Sequence, residues 1–153
     1  MVLFKSFDMI DIFGPLDPLF HLAFSEQLNL ALIADTLDPV SVAPVTAALN
    51  RENSSFWPSI NPTHTFDTAP EDLKVLLVPA GSGSHLGNVS TSIEFVAKTY
   101  PKLKYLITTC TGAGIAARTG VLDGRGATTN KAAWNTIAAM VLRCNEYLQH
   151  DGY

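Results

Sequence analysis

Four consecutive apolar residues, Val75-Leu76-Leu77-Val78, run straight into Pro79 and then into Ala80-Gly81-Ser82-Gly83-Ser84. A strand that is apolar at every position, rather than at alternate ones, is buried on both faces, and such burial belongs to parallel sheets. Parallel strands need crossover connections, usually helices. The rest of the chain supplies the alternation this demands.

Residues 1–4 are a short apolar run that fits the end of a buried strand. Gly14-Pro15 predicts a helix start, because the missing proline N–H would be unpaired there in any case. Leu16, Leu19, Phe20, Ala23 and Phe24 then follow the spacing of one buried helical face. Residues 28–34 and Val40 to Val45 read as further strands. The stretch from Asn50 to Pro70 is rich in Asn, Ser, Pro and Thr and reads as loops with a short strand near Phe56–Ile60.

Thr91 to Tyr100 reads as a helix with a Thr91-x-x-Glu94 capping box and with Ile93, Val96, Ala97 and Tyr100 on one face. Tyr105 to Thr109 is a strand that passes directly into Cys110. A helix over Gly112 to Thr119 follows, closed by Gly120 in the left-handed position. Ala127 to Thr129 reads as a short strand. Residues 131–148 read as a helix with Trp134, Ile137, Ala138, Val141 and Leu148 on one side. The expected fold is α/β: a doubly wound, flavodoxin-like, mostly parallel sheet with helices on both faces, in one domain over residues 1–153.

Composition narrows the function classes. The 153 residues are 47% hydrophobic and 16% charged, enough for a core and unlike a disordered chain. The net charge is −4 and no basic run is present, which argues against nucleic acid as a partner. No stretch reaches the roughly 18 apolar residues of a membrane span. Asp8 and Asp11 interrupt what would be the apolar part of a signal peptide. Two cysteines, Cys110 and Cys144, make no disulfide framework, so a reducing compartment, the cytoplasm, is expected.

Ligands of open parallel sheets bind beyond the carboxyl ends of the strands. Asp11, the Ala80–Ser84 loop and Cys110 all fall there. A cysteine between strand and helix is aimed out of the sheet, as in the nucleophile elbow, and a helix N-terminus behind it favours the thiolate. The bland reading is a cysteine that fills space. Asp11 could point into the same pocket and shuttle a proton, or simply bond local backbone. Gly81 could offer its N–H to a developing negative charge, or serve an ordinary turn. Small residues at Gly112, Ala113 and Gly114 would leave room for a substrate. Asp17 reads as a first-turn carboxylate, His64 and His85 as surface histidines, Asp123-Gly124-Arg125 as a turn, and Cys144 as a bland thiol.

Three segments resemble the signatures of the ThiJ/PfpI superfamily, the class I glutamine-amidotransferase-like fold. They are Asp-Ile-Phe-Gly-Pro-Leu-Asp from Asp11, Leu-Leu-Val-Pro-Ala-Gly-Ser-Gly from Leu76, and Cys-Thr-Gly-Ala from Cys110 with the Ala-Ala-Arg-Thr-Gly-Val-Leu-Asp-Gly-Arg-Gly-Ala-Thr-Thr run after it. They occur in the expected order and cover roughly residues 1–139. The Thr-Thr-Asn-Lys-Ala-Ala-Trp segment is similar to fungal members.

Within the superfamily the sequence looks most like the isocyanide hydratase branch. That resemblance implies Cys110 as nucleophile, Asp11 as acid/base and Thr111 as the residue beside the nucleophile. Gly81, Ser82 and Gly112 are then expected on the substrate side. It implies a small-molecule substrate, no metal or organic cofactor, and a possible homodimer. A glyoxalase-like activity on small 2-oxoaldehydes, or a non-catalytic binding or redox-sensing member, are the alternatives. Some relatives carry a histidine after Ala-Thr-Thr; here that residue is Asn130, which disfavours a Cys-His-acid triad. Residues 140–153 do not match, and the chain reads as a C-terminally truncated member.

Overall fold

The computed structural model describes residues 1–140. Helix α1 spans Met9–Leu22. Strands β1 (Ile33–Ala34), β2 (Val40–Ser41), β3 (Ser59–Ile60), β4 (His64–Thr65) and β5 (Val75–Val78) follow. Then come α2 (Gly83–Leu86), α3 (Ser90–Thr99), β6 (Tyr105–Thr108), α4 (Ala113–Arg118) and α5 (Trp134–Ala138).

The fully apolar run becomes β5, which pairs in parallel with β6 in the register Val75–Tyr105 through Val78–Thr108. β1 pairs in parallel with β4. The N-terminal segment joins the two halves. Leu3 N–H donates to Ile33 O at 2.8 Å, Ile33 N–H donates to Met1 O at 2.9 Å, and Val2 N–H donates to Leu77 O at 2.9 Å. The hydrogen-bonded order is therefore β4, β1, residues 1–4, β5, β6. Val2, Leu3, Ile33, Leu76 and Val78 are buried along these strands, and Ile12, Val96 and Ile115 cover them from α1, α3 and α4. Each such aliphatic side chain contributes about 1.5–3 kcal/mol when fully buried.

The chain winds from residues 1–4 first towards β1 and β4, then returns on the other side as β5 and β6. The switch point lies between the N-terminal segment and β5, the crevice where open α/β sheets bind ligands.

Several local expectations yield to tertiary packing. Helix α1 begins at Met9, not at Gly14-Pro15, and carries Pro15 and Pro18 inside it. Its buried residue is Ile12, with Leu16 packed against the core, whereas Leu19, Phe20 and Phe24 are exposed. The helix touches the sheet only near its start, so its later residues pass beyond the core. Asp17, expected in the first turn, therefore sits further along an exposed face, and Asp11 occupies the first turn.

Of residues 28–34 only Ile33–Ala34 pair as strand, because Leu28 and Leu30 lie in the exposed approach to the sheet. Val40 to Val45 shortens to β2, which pairs antiparallel with β3 outside the parallel sheet. The capping box does not form. Helix α3 starts at Ser90, whose N–H and hydroxyl both donate to Asn88 Oδ1. Phe95 replaces Ala97 on its buried side. Residues 127–129 are not a strand, and the Thr129 hydroxyl bonds Cys110 O. The helix expected over 131–148 appears as a 3-10 turn, Lys131–Ala133, and α5; Val141, Cys144 and Leu148 lie outside the described residues.

Candidate active site

Strand β6 ends at Thr108, and Thr109 N–H still donates to Val78 O at 3.1 Å. Thr109 is extended, with φ −104° and ψ 136°. The next residue, Cys110, turns sharply to φ +48°. A non-glycine residue in the left-handed region costs roughly 1–2 kcal/mol, so neighbours must hold it there. Gly112 N–H donates to Thr109 O at 2.8 Å and closes a 3-10 turn over Cys110–Gly112. The Thr129 hydroxyl donates to Cys110 O at 2.9 Å. The result is an elbow that leaves the half-buried Cys110 side chain beyond the end of β6.

The helix behind the elbow is shorter than expected. α4 itself has six residues, and the 3-10 turn over Cys110–Gly112 runs directly into it. The polar contact made by the sulfur comes from the loop after α4. Asn130 Nδ2 donates to Cys110 Sγ at 3.2 Å. Asn130 Oδ1 accepts from Ala132 N–H at 2.7 Å and Ala133 N–H at 3.2 Å, capping the next turn. With Oδ1 committed to two donors, the amide can only present N–H to the sulfur.

Asp11 meets the site from the other side of the switch point. Its Oδ2 accepts from Ala80 N–H at 3.0 Å, and Asp8 N–H donates to Ala80 O at 2.9 Å. One residue of the loop after β5 is thus held at both backbone groups by the start of α1. Asp8 itself is pushed above the usual carboxylate range, first by desolvation and then by the neighbouring Asp11 charge.

The same loop reaches the elbow. Gly81 N–H donates to Thr111 Oγ1 at 3.4 Å. The Ser84 hydroxyl, fully buried, lies 2.8 Å from Gly81 O, 3.1 Å from Thr111 Oγ1 and 3.2 Å from His85 Nδ1. Gly81 has φ +132°, and a Cβ there would strike Ser6 O and Phe7 Cα. Ser6 is also left-handed, at φ 64°. Its hydroxyl shares a 2.6 Å hydrogen bond with the Ser82 hydroxyl.

The start of α1, the loop after β5 and the elbow are therefore linked to one another beyond the strand ends, Asp11 through Ala80, Gly81 through Thr111 and Ser82 through Ser6. Two details differ from expectation. The Gly81 N–H is engaged by Thr111, and Ser82 by Ser6. The room left by the small residues is also taken up by protein: a Cβ on Gly112 would meet Val78 O and Pro79 O, and one on Gly114 would meet Ile137. His85 joins the site through Ser84, whereas His64 lies in β4 and bonds Thr63. The Arg118 guanidinium, its pKa lowered by burial, donates to Gly114 O and Ser84 O and so ties α4 to α2.

Gly120 and Gly124 adopt the positive φ expected of a helix stop and a turn. Cys144 is outside the described residues. Among the described residues no cluster of metal-ligating side chains occurs.

Sequence reasoning missed Thr129 and Ser84 and valued Asn130 only for not being histidine. One local signal was available: Asn130 precedes a helical turn, and asparagine is a favoured N-cap.

No protein-family model matches the chain. Over 132 residues it is 29% identical to the isonitrile hydratase of Pseudomonas putida, an alignment that covers 86% of this chain and 51% of that protein. The chain thus spans about half the length of its curated relative. A THiJ/PfpI family protein from Pseudomonas syringae is 26% identical and superposes with a TM-score of 0.76, over 96% of this chain and 55% of the other. A DJ-1 superfamily protein from Agrobacterium tumefaciens, 15% identical, gives 0.67 over 92% and 66%. The fold is the flavodoxin-like α/β fold of the DJ-1/ThiJ/PfpI proteins.

Proposed function

We propose that this chain is a ThiJ/PfpI cysteine enzyme that hydrates isocyanides to N-substituted formamides. One observation carries the reading. Cys110 occupies a left-handed elbow at the switch point of a parallel sheet, where Asp11 is anchored to the Ala80 N–H and Thr111 to the Gly81 N–H. Likeness to an isonitrile hydratase over 132 residues supports the same chemistry.

In this reading the Asp11 carboxylate takes the Cys110 thiol proton as the sulfur adds to the terminal carbon of R–N≡C, forming a C–S bond, and passes that proton to the carbon. The product is a thioimidate, S–CH=N–R. Water then adds to the same carbon. Its oxygen bonds to carbon, and one water proton passes through the Asp11 carboxylate to nitrogen. Collapse of the S–CH(OH)–NHR adduct breaks the C–S bond. The hydroxyl proton passes through Asp11 to the departing sulfur, and the formamide is released. One water is consumed, and the enzyme ends as it began. Thr111, fixed by Gly81 and Ser84, orients the reacting groups beside the sulfur.

The chemistry needs only the side chains named, and a small-molecule substrate. A homodimer and a cytoplasmic location belong to the same proposal. The test is formamide production from a simple alkyl isocyanide, with methylglyoxal as the competing substrate. Turnover of the isocyanide that disappears in Cys110→Ala supports the reading. Turnover of methylglyoxal alone, or isocyanide turnover unchanged in Cys110→Ala, overturns it.

A further inference from the structure

The sulfur has one hydrogen-bonding side chain among the described residues, and it is not one of the acid/base candidates. Asn130 Nδ2 lies 3.2 Å from Cys110 Sγ, and its Oδ1 is committed to Ala132 and Ala133 N–H. The preceding residue, Thr129, holds the Cys110 carbonyl. Two consecutive residues of one loop therefore clamp the elbow, one by its backbone and one by its nucleophilic atom.

We propose that Asn130 is a catalytic residue of the Cys110 centre: a fixed N–H donor that stabilises the sulfur anion without exchanging a proton with it. The assignment rests on Cys110 being the nucleophile. An N–H to an anionic acceptor is stronger than the same bond to a neutral one, so the contact favours the ionised sulfur. A primary amide neither gains nor loses a proton in the physiological range, so Asn130 cannot serve as the base that a histidine could be at the same place. All proton traffic in the reaction then falls to Asp11. The amide is also preorganised. Its two cap bonds fix the side chain before substrate arrives, so no reorganisation is needed as charge changes on the sulfur.

The charged or titratable groups on the surrounding elements are Asp8 at the start of α1, Asp11, Asp17 and His21 on α1, His85 on α2, Tyr105 on β6, Arg118 on α4, Asp123 and Arg125 in the loop after α4, and Lys131 in the turn that follows Asn130. None of them hydrogen-bonds the sulfur among the described residues, and Arg118 is engaged by Gly114 O and Ser84 O.

Because Asn130 also caps a turn, the test must separate the two roles. Asn130→Ser and Asn130→Asp both keep an oxygen acceptor for the cap, and both remove the amide N–H that reaches the sulfur, the serine hydroxyl sitting one bond nearer the backbone. The readout is the pH profile of Cys110 alkylation by iodoacetamide, mapped to the Cys110 peptide by mass spectrometry, with thermal unfolding in parallel. This readout does not depend on any substrate, so it stands apart from the outcome of the isocyanide assay. In Asn130→Ser the midpoint of the profile should rise by about one pH unit, a tenfold change in thiolate fraction at low pH. The high-pH plateau should rise as well, because a less stabilised thiolate is the better nucleophile. Asn130→Asp should shift the midpoint further, since a carboxylate then faces the sulfur. Unchanged midpoints in both folded variants overturn the proposal. So does loss of folding in both, which would make Asn130 a cap and nothing more.

Discussion

The Thr129 hydroxyl donates to the Cys110 carbonyl at 2.9 Å and holds the one left-handed non-glycine residue of the crevice's far wall. The bond spans nineteen residues of chain. It closes the segment Cys110–Thr129 onto itself, so the elbow is stabilised by a loop that follows α4 rather than by α4 alone.

Thr129→Val keeps the shape of that side chain and removes the donor. Stability should fall by about 1 kcal/mol, seen as a lower Tm. Cys110 alkylation should slow or become heterogeneous as the turn loses its anchor. A variant with wild-type Tm and wild-type alkylation would show that the bond does nothing for the elbow.

The backbone at Cys110 gives a second prediction. At φ +48° an alanine keeps the left-handed cost and a glycine removes it. Cys110→Gly should therefore be more stable than Cys110→Ala by about 1 kcal/mol, while both lack alkylation at this position. Chemical denaturation of the two variants decides it. Equal stability would mean that the elbow relaxes when the thiol is gone.

Asp11 can be separated into its two jobs. Asp11→Asn keeps an oxygen acceptor for Ala80 N–H and cannot carry a proton. Isocyanide turnover should drop by about 100-fold or more, with Tm within a degree or two of wild type. Asp11→Ala should lose both turnover and stability, because Ala80 N–H is then unpaired.

Asp8 yields a pH dependence. Its pKa in the folded chain is raised, chiefly by desolvation and then by Asp11. The protonated form is therefore the one the fold favours. The associated stability is fully present below the ordinary carboxylate value of about 3.9, and is lost as pH rises through the folded value. At neutral pH ionisation of Asp8 works against the fold, an effect kept small because the side chain is exposed to solvent. Asp8→Asn should raise Tm at pH 7, and the difference should vanish as pH falls below that ordinary value. Asparagine is also a good N-cap, so α1 keeps its start.

Much of this protein is written locally. A strand apolar at all four positions of Val75–Val78 has to be buried on both faces, and Tyr105–Thr109 running into Cys110 has to turn, so the parallel pair and the elbow follow from short stretches of sequence. The convergence of Asp11 with the Ala80–Ser84 loop also follows, once strand ends are assumed to share one edge of the sheet.

Other features were settled only by packing. Pro15 suits a helix start, yet α1 begins at Met9, because Ile12 and Leu16 need the core and Asp8 and Asp11 reach Ala80. Phe20 and Phe24 have the spacing of a buried face and are exposed, because the helix outruns the sheet it covers. Asn130 reads in sequence as a missing histidine and becomes, in the fold, the donor to the sulfur. The sequence by itself determined the parallel pair β5 and β6, the elbow and the list of polar residues near them. The tertiary structure alone decided which of those groups touch: hydrogen bonds between residues from 19 to 76 positions apart depend on how the layers pack, and no local pattern encodes that distance.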